Sequence, residues 1–279
     1  VFPAQRLYVE TVRKIIRITE KIAIALNITG PFNIQFVAKQ SRVMVIECNL
    51  RASRSFPFCS KVSRVNMIDL ATRAMLSQAV ETAQNALYEQ PWVGVKAAQF
   101  SFARLHGADP VLGVEMTSTG EMGCIGSELN DAFMKAMVSV GYSSKVKKLL
   151  LSTGPLEDKL DFLESAQKLV EMGCTLYASH GTAKFLKKYG LEVQALHWPL
   201  ETAEPNILTL MRSHAFDLVI NIPKNNRKHE LQNDYLIRRM AIDLNIPLFT
   251  NIKTARQYIE SLAYTKIHGL EIKPWEEYR

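Results

Sequence analysis

Val43-Met-Val-Ile-Glu-Cys-Asn-Leu-Arg-Ala-Ser-Arg54 is an apolar run that ends in a cluster of reactive side chains. Its first four residues predict a buried strand, with Glu47 and Asn49 at its end. Side chains two apart on a strand leave from the same face, so a carboxylate and an amide oxygen point together while Cys48 faces away. Oxygen ligands of this kind suit Mg2+, which keeps few protein ligands and takes the rest from phosphates and water. Arg51 and Arg54 follow closely, and their planar, permanently charged forks match anionic oxygens. Together these are the parts of a phosphoryl-transfer site. A strand glutamate alone is as well explained by an exposed salt bridge, so its neighbours carry the reading.

One such neighbour lies upstream. Pro31-Phe-Asn-Ile-Gln-Phe-Val37 predicts a second strand, and the polar segment from Ala38 to Arg42 is short enough for a hairpin loop. If the pair is antiparallel, Gln35 can lie beside Glu47, and Gln35, Glu47 and Asn49 converge.

The stretch from Thr29 to Ser60 (TGPFNIQFVAKQSRVMVIECNLRASRSFPFCS) closely resembles ATP-grasp enzymes, and within them the large subunit of carbamoyl phosphate synthetase. The resemblance extends through the segment that begins at Glu115 (EMTSTGEMG) and over essentially the whole chain. It implies that Gln35, Glu47 and Asn49 hold the magnesium (or manganese) ions bridging the ATP phosphates, and that Arg51 and Arg54 steady the carboxy- or carbamoyl-phosphate end. The implied activity is MgATP-dependent phosphorylation of carbamate, serving pyrimidine, arginine or urea synthesis. The implied partners are the rest of the large subunit and a glutamine amidotransferase subunit or domain as ammonia source, in an oligomer. No Gly-rich phosphate-covering loop precedes Gln35, so this segment is expected to be inactive alone.

Composition sets the wider limits. A length of 279 residues predicts two domains, each with its own core. No apolar run approaches the roughly 18 residues of a membrane span. The first residues lack the apolar core of a signal peptide, and without an initiator Met the chain reads as part of a longer one. The four cysteines are widely spaced with no C-x-x-C, which suggests neither a zinc site nor a disulfide framework. A reducing compartment fits: the cytoplasm, or the mitochondrial matrix. The net charge of +7 comes from basic residues scattered among acids, which argues against a nucleic-acid surface and for small anionic ligands or a solvated basic exterior.

The apolar spacing predicts helices over Val12–Leu26, Met67–Ala79 and Asp131–Val140, with strands near Gly94–Phe102 and Gly113–Ser118. The pattern changes at about residue 142, so the expected division is 1–142 and 143–279. Beyond it strands and helices alternate. The predicted strands are Lys148–Ser152, Thr175–Ala178, Val193–Leu196, Asp217–Ile222 and Ile246–Thr250. The predicted helices between and after them are Glu157–Met172, Thr182–Tyr189, Ile207–Ser213, Asp234–Leu244 and Thr254–Ala263. Such alternation predicts a parallel sheet covered on both faces, with ligands beyond its carboxyl ends. The expected fold class is therefore α/β: a partial ATP-grasp α+β domain, then a doubly wound parallel-sheet domain.

Those carboxyl ends carry Ser152, Ser179-His-Gly-Thr182, His197-Trp198, Asn221 and Thr250. The Ser179–Thr182 turn, between strand and helix, offers donors to an anion; capping of the helix is the plainer alternative. His180 reads as a loop residue with no evident carboxylate partner, and the six histidines show no close ligand pairing. From Lys148 onward the chain resembles the methylglyoxal-synthase-like regulatory domain of the synthetase, which implies effector binding without chemistry of its own. Lys159, Ser179 and Thr182 match or nearly match that domain's phosphate-binding pattern, while Trp198 replaces a second lysine. Trp198 and Asn221 look more like the synthetases activated by N-acetylglutamate, although Lys224 and Asp234 stand where that pattern has asparagines. The expected effector set is Lys159, Ser179, Thr182, Trp198, Asn221 and Thr250, binding a small anion other than a nucleoside monophosphate. Two rival readings are a methylglyoxal-synthase-like lyase and an effector-binding module without catalysis.

Overall fold

A computed structural model of the chain describes residues 1–80, 90–113, 118–223 and 228–278. By its packing the chain divides into two compact units. The first is Val1–Lys96 with Ile125–Leu129 and Tyr278–Arg279; the second is Ala97–Cys124 with Asn130–Glu277.

In the first unit, β1 (Asn33–Lys39) and β2 (Arg42–Asn49) form an antiparallel hairpin. Gln40 and Ser41 join them, both with positive φ (48° and 60°). A two-residue turn of this kind matches the right-handed twist of the strands it connects. From it the register runs Lys39↔Arg42 to Phe36↔Val45 and then shifts, so that Ile46 is passed over and Gln35 faces Glu47. The amphipathic helix α1 (Val9–Ala25) packs against both strands, and Lys14 Nζ donates to the Ser41 carbonyl at 3.1 Å.

The burial expected for Val43–Ile46 is not observed. Val43 is half-buried, but Met44, Val45 and Ile46 are exposed. A two-stranded sheet backed by one helix has one shielded face, and the bulge spreads consecutive apolar residues outside it.

Two short helices follow, α2 (Phe56–Ser63) and α3 (Met67–Met75). Helix α2 was not expected from the pattern; Pro57 sits in its first turn, where a missing N–H costs nothing. Asn66 caps α3 by accepting from Asp69 N at 3.1 Å. Val62 of α2 is fully buried, and its carbonyl accepts Trp92 Nε1 at 2.7 Å. A Cβ on Gly94 would lie 2.4 Å from Val62 Cγ2, so only glycine allows the strand this close to the helix. Gly94 belongs to β3 (Val93–Gln99), which pairs with β4 (Gly120–Gly126). Residues 114–117 of the strand expected at Gly113–Ser118 lie outside the described residues.

The second unit is built on five parallel strands: β5 (Lys148–Thr153), β6 (Thr175–Ser179), β7 (Gln194–Leu196), β8 (Leu218–Ile222) and β9 (Leu248–Phe249). Their order is β7-β6-β5-β8-β9. The chain starts at the centre, winds outward to β7, then returns to build β8 and β9 on the other side. Adjacent crossovers diverge between β5 and β8, and that switch point opens a crevice at the carboxyl ends.

Alternating residues fill two cores. Leu149, Leu151, Leu176, Leu218 and Ile220 pack with α4 (Leu129–Ser139), α5 (Leu156–Glu171), α6 (His180–Lys188) and α9 (Ile252–His268). Leu150 and Val219 pack on the opposite face with α7 (Ile207–Arg212) and α8 (Lys228–Asp243). Strands buried on both faces read as continuous apolar runs, as Leu149–Leu151 does. Gly173 and Gly190, with φ of 81° and 79°, end α5 and α6. After α5, Gly173 N bonds Val170 O and Cys174 N bonds Leu169 O, which satisfies carbonyls the helix leaves open.

Candidate functional site

On the hairpin, Gln35 and Glu47 are directly opposed across an antiparallel pair, so their side chains share a face. Asn49 shares it too, because its Nδ2 donates to Glu47 Oε1 at 2.8 Å. The bulge at Ile46 produces this arrangement. In the register set by the turn, Gln35 would face Ile46 and Glu47 would face Ile34. One inserted residue moves Glu47 and Asn49 onto the face of Gln35. All three offer hard oxygen ligands, a set that fits Mg2+ or Mn2+. Arg51 follows β2 with its guanidinium exposed and one nitrogen on the Ala52 carbonyl at 3.2 Å; Arg54, also exposed, precedes α2.

In the second unit, a small cleft opens at the carboxyl ends of β5 and β6. Lys159, Ser179, Thr182 and Trp198 line it together with Ser152, Thr153 and Asp234. Four hydroxyls form its buried floor: Ser179 Oγ lies 3.4 Å from both Ser152 Oγ and Thr182 Oγ1, and Thr153 N donates to Thr182 Oγ1 at 3.2 Å. Ser179 precedes α6 but makes no side-chain cap bond. A Cβ on Gly154 would lie 3.1 Å from the Ile222 carbonyl, so the turn after β5 lies flat against the end of β8. The cleft thus presents an ammonium group, hydroxyls and an indole edge.

Asn221 and Thr250 do not line this cleft. Asn221 is fully buried in a network of its own: its Nδ2 donates to Asp234 Oδ1 at 2.8 Å and its Oδ1 accepts from Arg238 at 2.9 Å. Arg238, 3% exposed, also clamps Asp109 through two bonds of 2.7 and 2.5 Å. Neighbouring Arg239 donates to the carbonyls of Phe102, Leu105 and Ala108. Lys224 lies outside the described residues.

Residues 161–250 match the family described as MGS-like domain. Residues 4–97 match the family described as ATP-grasp in the biosynthetic pathway with Ter operon. Multifunctional protein pyr1-3 of Dictyostelium discoideum is 44% identical over 277 residues, covering 95% of this chain and 12% of that protein. Mitochondrial carbamoyl-phosphate synthase (ammonia) of Rattus norvegicus is 38% identical over 286 residues, covering 99% of this chain and 19% of that protein. The chain is homologous to a segment of carbamoyl-phosphate synthase.

It comprises a partial ATP-grasp region and an MGS-like domain with a five-stranded parallel sheet. The same span in multifunctional protein URA2 of Saccharomyces cerevisiae is 43% identical over 272 residues and is again 12% of that protein. The chain therefore spans a minor part of the relatives it matches.

One cluster on this synthase-related segment escaped the sequence reading. His180 at the start of α6, His197 just past β7, and Glu201 meet at the carboxyl edge of the sheet. His180 Nε2 lies 3.3 Å from His197 Nδ1, and His197 Nδ1 lies 3.0 Å from Glu201 Oε2. The expectation that His180 is a loop residue and that the histidines show no close pairing is thus corrected: His180 opens α6 and contacts His197. β6 and β7 are adjacent strands, and their neighbouring ends bring together residues 17 apart. The H-x-x-x-E spacing of His197 and Glu201 was the available signal. Burial pushes Glu201 upward, but the Trp198 amide and His197 outweigh it and hold the carboxyl below its usual range.

Proposed function

We propose that this chain is the part of a carbamoyl phosphate synthetase that carries the metal-ligating hairpin of an ATP-grasp unit (1–142) and an effector-binding MGS-like domain (143–279). In the complete protein the reaction is transfer of the ATP γ-phosphoryl group to carbamate. The observation that carries this reading is the single face shared by Gln35, Glu47 and Asn49. On it, Glu47 and the two amide oxygens hold Mg2+ or Mn2+, which when bound supplies charge neutralisation for the phosphates. Arg51 and Arg54 orient the carbamate and balance charge on the transferred group. Phosphoryl transfer asks little covalent work of the protein, so position and charge carry the rate. The ATP-binding remainder of the subunit and an ammonia-supplying glutaminase are the implied partners, and pyrimidine or arginine synthesis the implied use. Glu47→Gln in the complete protein is expected to abolish carbamate-driven ATP turnover. Near-normal turnover would contradict the assignment.

For the second domain, the reading is a small-anion receptor formed by Lys159, Ser179, Thr182 and Trp198. Trp198 places an indole where a second cation would serve a phosphate, which supports a carboxylate-sized ligand over a nucleoside monophosphate. Micromolar binding of UMP or IMP to the 279-residue chain by calorimetry would refute that choice.

A further inference from the structure

We propose that His180, His197 and Glu201 form a binding site for a borderline divalent transition metal, of the Zn2+ class, at the edge of the MGS-like sheet. This site is separate from the magnesium ligands of the hairpin and does not depend on their assignment. The donor set is two imidazole nitrogens and a carboxylate oxygen, a combination that favours zinc, nickel or copper over magnesium and calcium.

Spacing supports this choice. Ligand atoms held about 2.0–2.1 Å from a tetrahedral ion lie about 3.3 Å from each other. The two shorter edges here are 3.3 and 3.0 Å; the third lies within 4.8 Å, so a side-chain rotation of the exposed His180 or Glu201 closes the set on an ion. Among the described residues no other group of His, Cys, Asp and Glu converges in this way.

Protons alone serve the cluster poorly. His197 Nδ1 faces both His180 Nε2 and Glu201 Oε2. With a proton it suits Glu201; without one it suits a donating His180 and sets a lone pair against the carboxylate. A cation accepts a lone pair from each of the three atoms at once.

The supporting shell is already fixed. Trp198 N donates to Glu201 Oε2 at 3.0 Å. The buried Asn206 amide donates to the carbonyls of both Trp198 and Glu201 at 2.8 Å. His197 N bonds the Pro205 carbonyl at 2.9 Å, which anchors the other end of the turn. Three protein ligands leave a tetrahedral ion one open position. Each histidine adjoins a residue of the anion cleft, Ser179 or Gly181 beside His180 and Trp198 beside His197. An ion here would stiffen the turn that carries Trp198 and so act on the cleft.

The test is titration of the metal-free 279-residue chain with Co2+ and Zn2+, followed by visible absorption and calorimetry. The expected result is one ion per chain with a tetrahedral cobalt spectrum free of thiolate charge transfer. His180→Ala and His197→Ala should each lose it, and Glu201→Gln should weaken it about tenfold or more. Circular dichroism checks that each variant folds; His197→Gln and His180→Gln replace any alanine variant that does not. Three results would overturn the proposal: no saturable binding at micromolar metal, binding unchanged in the histidine variants, or a thiolate-dominated spectrum.

Discussion

Single side chains in the second unit have consequences well beyond their size. Gly154 lies flat against the end of β8, with carbonyls 3.1 and 3.2 Å from where its Cβ would stand. Gly154→Ala should therefore destabilise the chain by about 1–3 kcal/mol, read from the denaturant midpoint. It should also reshape the cleft that Gly154 lines. Asn206 caps α7 and holds the Trp198–Glu201 turn from a buried position. Asn206→Ala should cost about 1–3 kcal/mol and loosen the turn. Such roles were hard to see beforehand. Asn221 read as a ligand because it ends a strand, yet Arg238, 17 residues later, draws it inward. The position of Ser179 and Thr182 at the mouth of the cleft was legible, because a strand feeds directly into a helix there.

At the scale of elements, the parallel sheet and the pairing of Gln35 with Glu47 were legible, and the bulge that delivers that pairing was not. Apolar runs of strand length, each followed by an amphipathic stretch stopped at Gly173 or Gly190, leave few alternatives to β-α alternation. The Ile46 bulge leaves no trace in local composition, because register is set by the turn and by pairing partners. The same holds for α2, whose eight residues are too few to show a helical period. The α8 arginines make a further prediction. Arg238 is buried and paired with Asp109, itself 40% exposed at the side chain. Asp109→Ala leaves that guanidinium a poorer set of acceptors and should cost about 1.5–3 kcal/mol in chemical denaturation. Asp109→Asn should recover part of the loss.

For the molecule as a whole, pH and metal chemistry give the broadest tests. Tyr258 is buried and Tyr142 partly buried against the same core; Tyr142 donates to the Leu248 carbonyl at 2.7 Å and Tyr258 to the Ser143 carbonyl. Burial raises both phenols well above their ordinary value of 10.0. A raised folded value means that their contribution is complete below the unfolded value. It is lost as pH climbs from there toward the folded one. Above about pH 10 the melting temperature should fall, and the fall should be shallower in Tyr142→Phe. The claim that one face of the hairpin holds the catalytic metal is tested most directly in the complete protein, by ATP formation from carbamoyl phosphate and MgADP. The expected result is a loss of about 100-fold or more in Glu47→Gln, with Cys48→Ser, on the opposite face, close to wild type. Equal rates for the two variants would contradict the account.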